Sequence, residues 1–150
     1  MKLFSRFLIY IFLSTSVIKS AAQTHNLKFN LVSGTDGITL GKINGLTRDM
    51  HGVMWFSDQT NRCIVRYDGT HMIKYQNDPK NPNSLGGTYP ESIVADSTGM
   101  IWIGFYGGTG LDKFDPVKGN FAHYRHNTND ASSLASDTVA ALLVDHYVWI

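Results

Sequence analysis

Trp55, Trp102 and Trp149 are the only tryptophans in this 150-residue chain, and they stand 47 and 47 residues apart. Their flanks repeat with them. Leu46–Phe56 lies over Ile93–Ile103, and Tyr67-Asp68 lies over Phe114-Asp115 at the same spacing. Tyr75 matches Tyr124 and Ser84-Leu85 matches Ser133-Leu134 at a spacing of 49, so the second unit gained two residues in a loop, where insertions are tolerated. A third copy, Leu142–Ile150, keeps Asp145 and Trp149 but is two residues shorter between them and lacks the glycine. A unit in the high forties points to a tandem array whose members shelter one another.

The grammar inside one unit decides which array. Ile93–Asp96 is an apolar run of strand length, Asp96-Ser97-Thr98-Gly99 is a turn, and Met100–Ile103 is a second apolar strand. Gly107–Gly110 breaks the chain, Leu111–Phe114 reads as a half-buried third strand, Asp115–Gly119 as another turn, and Phe121–Tyr124 as a polar outer strand. Nothing repeats at i, i+3, i+4 and i+7, which excludes a helical-hairpin repeat. The expected fold is all-β: propeller blades of four antiparallel strands, with about two full blades and part of a third. The blades are expected at residues 46–92 and 93–141, with 142–150 opening a truncated one. Asp49, Gly52, Trp55, Asp96, Gly99, Trp102, Asp145 and Trp149 are then structural repeat positions. The aspartates and glycines form turns, and each indole fills the gap to a neighbouring sheet.

Residues 1–22 have the three parts of a secretory signal peptide: Lys2 and Arg6, then Phe7–Leu13, then Ser20-Ala21-Ala22. Cleavage after Ala22 removes Lys2, Arg6 and Lys19, leaving ten basic against twelve acidic residues, a net charge of −2. No later run is long enough to span a bilayer, so the expected location is exported, on the periplasmic or extracytoplasmic side. The charge balance gives no electrostatic case for nucleic acid. Cys63 stands alone, so there is no intrachain disulfide framework and no cysteine-based zinc cluster.

Apolar-x-x-Asp-x-x-Gly-x-x-Trp-Ile-Gly is carried here by Ile93–Asp96, Gly99 and Trp102-Ile103-Gly104. Gly110-Leu111, Phe114-Asp115, Phe121, Tyr124 and Ser133-Leu134 continue the pattern, and the loop Asp78–Leu85 fits it. Together these resemble the two-component regulator propeller repeat. The resemblance implies a sensor: the extracytoplasmic half of a membrane protein whose cytoplasmic half is commonly a histidine kinase, with oligosaccharides frequent among the ligands. The partners it implies are a small-molecule or oligosaccharide ligand and the remaining blades and signalling domains of a longer protein, with the membrane reached only through segments downstream. It also implies that residues 23–45 are an N-terminal strand and loop, with Leu27–Leu31 closing the ring. Because Ile150 falls inside the second strand of a third blade and propellers need about 4–8 blades, the chain is expected to be an N-terminal fragment or a truncated reading frame. The first repeat departs from the pattern, with Trp55-Phe56-Ser57-Asp58 and Cys63-Ile64 in place of Trp-Ile-Gly-Thr and Gly-Gly-Leu. Those residues, with Ile64–Asp68, are similar to blades of streptogramin lyase-like propellers. An extracellular propeller enzyme is therefore the alternative to a non-catalytic sensor.

Motifs of chemistry are sparse. His123-x-x-His126 would point to opposite faces of a strand, which suits no metal. Gly104–Gly110 lacks the spacing of a dinucleotide fingerprint and the Gly-Lys-Ser/Thr ending of a phosphate loop, so it reads as a hairpin turn. No catalytic residue, metal site or cofactor is expected, and Cys63 reads as a small packed residue. Loops joining strand two to three and strand four to the next blade share one face, here Ser57–Cys63, Phe105–Gly110, Gln76–Pro90 and Arg125–Thr138. They carry Asp58, Asn61, Arg62, Tyr89 and Tyr106, with Glu91 just beyond. Aromatic rings with amide, carboxylate and guanidinium groups suit sugar hydroxyls, so these six are the candidate ligand-face residues.

Overall fold

The computed structural model describes Lys28, Val32 and residues 36–150. The expected leader and nearly all of the expected strand at Leu27–Leu31 lie outside the described residues.

Among the described residues, two four-stranded antiparallel meanders and a short hairpin make up the fold. The first sheet runs β1 (Ile43–Arg48), β2 (Met54–Asp58), β3 (Cys63–Tyr67) and β4 (Met72–Gln76) in sequential order. The second repeats it as β5 (Pro90–Ala95), β6 (Ile101–Phe105), β7 (Leu111–Asp115) and β8 (Asn120–Tyr124). The hairpin of β9 (Leu143–Val144) and β10 (Val148–Trp149) begins the third unit. The all-β reading holds, and the two sheets are propeller blades. Their first strands start at Ile43 and Pro90, three residues ahead of the starts taken from the sequence. The extra residues hold a register shift that the apolar runs do not signal, between Ile43 and Gly45 and again between Pro90 and Ser92.

Each turn from first to second strand is tied by its aspartate. Asp49 Oδ1 accepts from the Val53 and His51 amides at 3.0 and 2.9 Å, and Asp49 Oδ2 accepts from the Trp55 indole at 2.9 Å. Asp96 does the same for the Met100 and Thr98 amides and the Trp102 indole, the last at 2.8 Å. In the third unit Asp145 still accepts from the Trp149 indole at 3.0 Å. Burial pulls the Asp49 and Asp96 carboxyls up, but the hydrogen bonds outweigh it, so both sit below the usual carboxylate range. Gly52 and Gly99 close these turns at φ of 86° and 87°, a region that costs a side chain energy.

The core lies in the seam between the blades. Period-2 alternation puts Trp55, Ile64 and Tyr75 on one face of the first blade, against Ile101, Ile103, Phe105, Phe114 and Phe121 of the second. Trp55 meets Tyr75 and Phe114 with both ring centroids at 5.9 Å, and Phe114 stacks on Phe121 at 4.4 Å. The other face of the first blade buries Phe56, Cys63, Val65 and Met72 under Ile38 and Leu40. Leu111–Asp115 departs from the half-buried reading, because both faces of this strand are covered at its start. Leu111 and Asp112 are both buried, and the carboxylate is held by neighbours. Asp112 accepts from the Gly86 amide at 2.6 Å and from Arg125 at 3.4 Å, and lies 2.7 Å from His123 Nδ1.

Backbone contact also knits the inner strands. The cross-strand pair Gly45–Ser57 of the first blade becomes Ser92–Gly104 in the second, so each blade places one hydroxyl in the same narrow slot. A Cβ on Gly104 would lie 2.4 Å from Ser92 Oγ. Ser57 Oγ accepts from the Gly45 amide at 2.7 Å and donates across the seam to the Glu91 carbonyl at 3.2 Å. The Ala95 amide donates to Thr47 Oγ1 at 3.1 Å.

Candidate functional site

In a sequential antiparallel meander, the strand two-to-three loops and the connections to the next blade emerge at the same end. That end carries the six ligand-face residues expected from sequence, and the structure sorts them into two groups.

Asp58 and Asn61 are engaged by the scaffold. Asp58 is fully buried. Its Oδ2 accepts from the Gly41 amide at 2.7 Å and from Asn61 Nδ2 at 2.8 Å, and its Oδ1 accepts from the Asn61 amide at 2.9 Å. Asn61 Nδ2 also donates to the Thr39 carbonyl. These bonds fasten the chain before β1 to the loop after β2. Glu91 is half-buried and accepts from Asn44 Nδ2 at 2.6 Å. Asn44 and Glu91 occupy the same register shift in successive blades, 47 residues apart, so the repeat itself brings them together.

Arg62, Tyr89 and Tyr106 form the second group. Arg62, exposed on the loop before β3, places its guanidinium 5.1 Å from the centroid of the Tyr89 ring at the start of the second blade. It does so from a φ of 53°, the one non-glycine position with positive φ among the described residues. The Tyr106 amide donates to the Tyr89 carbonyl at 3.1 Å, which pins the two tyrosines together at the end of β5 and β6. Both rings stay open, Tyr89 at 42% and Tyr106 at 61% of full exposure. One cation and two aromatic faces thus meet solvent at the mouth of the seam.

The long connections expected to share this face are tied by their own serines. Ser84 Oγ accepts from the Asp78 amide and donates to its carbonyl, and Ser133 does the same for Asn127. Each pair clips a loop shut. The first loop also docks on the second blade: Asn83 Oδ1 accepts from the Phe121 amide at 2.8 Å, and His123 Nε2 lies 3.0 Å from the Pro82 carbonyl. His123 and His126 have separate partners, Asp112 with Pro82 for one and the Leu134 carbonyl for the other.

Sequence reasoning missed Asn44 and the cluster of Asp112, His123 and Arg125. The 47-residue offset between Asn44 and Glu91 was the available signal for the first. None existed for the second, because Asp112 stands where the first blade has Val65. Cys63 is buried, and burial with Asp58 close by pushes its thiol up to about 11, so it stays protonated and unreactive at neutral pH. Among the described residues no three His, Cys, Asp or Glu side chains gather as a metal-binding group.

The fold is similar to solved structures. One is the extracellular domain of the hybrid two component system BT3049 from B. thetaiotaomicron. It aligns with a TM-score of 0.63 and 22% identity over 71% of this chain. The chain spans 14% of the length of that domain. No family model and no curated protein matches the chain.

Proposed function

We infer that the chain is a ligand-sensing, non-catalytic portion of the extracytoplasmic propeller of a two-component sensor. The observation that carries this reading is the exposed group of Arg62, Tyr89 and Tyr106 at the mouth of the seam. Aromatic faces beside a polar head are the equipment for stacking on a sugar ring while orienting its hydroxyls. Oligosaccharides are thus the ligand class this surface fits best. The likeness to the solved extracellular domain of a hybrid two component system and the basic-apolar-small leader support the same location. Further blades and an output domain belong to the longer protein. A ligand on this face would signal by binding two states of that protein with different affinity.

The test is calorimetric titration of the chain with a panel of neutral and acidic oligosaccharides, for the parent and for a Tyr89→Ala, Tyr106→Ala double variant. Saccharide binding that the double variant loses supports the reading. Binding untouched by the double variant, or turnover of a saccharide or lactone in place of simple binding, overturns it.

A further inference from the structure

Arg62 is dressed for an anion. The loop before β3 holds it at a φ of 53°, where a non-glycine residue is strained, and its guanidinium lies against the Tyr89 ring. A guanidinium stacked on a ring keeps its in-plane N–H groups free, and that planar fork matches a carboxylate or sulfate. Among the described residues no carboxylate pairs with Arg62. The acids on this end have other partners: Glu91 has Asn44, Asp58 has Gly41 and Asn61, and Asp78, Asp130 and Asp137 accept from the Lys80, Ser132 and His126 amides. The other cations of the second blade have partners: Arg125 has Asp112, Lys118 has Asp115, and Lys113 lies over Trp102. Arg62 thus offers a positioned charge with no carboxylate partner beside the exposed Tyr89 ring, whose backbone is bonded to that of the exposed Tyr106.

We propose that this face selects saccharides bearing an oxyanion, a uronate carboxylate or a sulfate ester, with Arg62 as the group that reads the charge and Tyr89 and Tyr106 as the rings that read the sugar. Tyr89 has a second task as a positioning residue, because its ring fixes the plane of the guanidinium. The proposal rests on the saccharide-binding reading above and narrows it.

The experiment titrates the full chain with four probes: a galacturonic acid dimer, a galactose dimer, a sulfated galactose dimer, and inorganic sulfate. Each is run on the parent, on Arg62→Gln and on Arg62→Lys. The acidic dimers should bind the parent about tenfold or more tightly than the galactose dimer, and added salt should weaken them. Arg62→Gln should erase that preference, so that the acidic dimers bind no more tightly than the galactose dimer does to the same variant. Arg62→Lys should restore part of it, since lysine keeps the charge but not the fork. Comparing the two acidic dimers separates carboxylate from sulfate. Inorganic sulfate binding as tightly as the sulfated dimer would overturn the saccharide part of the proposal. Equal affinity for acidic and neutral dimers, or an acidic preference that survives Arg62→Gln, overturns the proposal and leaves saccharide sensing standing. No binding of any dimer to the parent overturns both readings.

Discussion

Trp55 and Trp102 occupy the same place in two sheets of identical strand order, yet their surroundings differ. Trp55 is fully buried, sealed by Tyr75 from its own blade and Phe114 from the next. Trp102 stacks on Tyr124 of its own blade at 5.9 Å and lies under Lys113, and it is only partly buried. The inner strands show the converse. Ile93, facing the first blade, is 6% exposed, whereas Leu46 at the equivalent position is 62% exposed. A blade therefore supplies only half of each interface. The repeat encodes which side chain stands at a position, and the neighbour decides whether it is buried.

The sharpest way to break this comparison is to truncate each indole in turn. Trp55→Ala should cost about 3–5 kcal/mol in urea unfolding, as for a large ring lost from a closed core. Trp102→Ala should cost less, because part of its ring is still in contact with water and no neighbouring blade closes over it. Equal losses would mean that the seam is not the core.

Next in size is Asp112→Ala. It strips a buried carboxylate from Arg125, His123 and the Gly86 amide, with an expected loss of about 3 kcal/mol, kept to the low end because both side-chain partners are partly exposed. Val65→Ala at the same position of the first blade removes only apolar contact and should cost about 1–2 kcal/mol. A smaller loss for Asp112→Ala than for Val65→Ala would show that the cluster does not hold the loop to the blade.

The turn aspartates are of middling weight. Asp49→Asn and Asp96→Asn each replace one acceptor oxygen by a donor facing an indole or an amide, and each should lose about 1–2 kcal/mol at neutral pH. Both carboxyls are held below their unfolded value. Their contribution is therefore present above about pH 4 and is lost as pH falls through the lower folded value. Urea midpoints between pH 3 and pH 6 should slope down toward acid in the parent and flatten in the double variant. The smallest effect separates the two serines. Ser57→Ala loses the bonds to Gly45 and Glu91 and should cost about 1 kcal/mol. Among the described residues Ser92 Oγ has no partner, so Ser92→Ala should be neutral or slightly stabilising.

The same contrast explains what was legible beforehand. Strand count, turns and the tryptophan positions follow from a pattern that each unit carries by itself, and the structure has all of them. The bond from each indole to its turn aspartate was not read from the sequence, although it is local: it spans six residues in the two full blades and four in the third unit. Asp58 and Asp112 were not legible. Both are polar residues in strands of ordinary look, and their burial depends on partners 17 and 26 residues away on other segments. The face shared by Arg62, Tyr89 and Tyr106 followed from strand order alone. The stacking of Arg62 on Tyr89 did not, because it needs the seam to close.

The most direct measurement of that closed seam is hydrogen exchange at the three indole N–H groups, followed by NMR on the native chain. Each N–H is bonded to its own aspartate, so only the neighbouring sheet distinguishes them. The expected order is Trp55 slowest, Trp102 intermediate and Trp149, at 54% exposure, fastest. Exchange of Trp55 as fast as that of Trp149 would contradict the account.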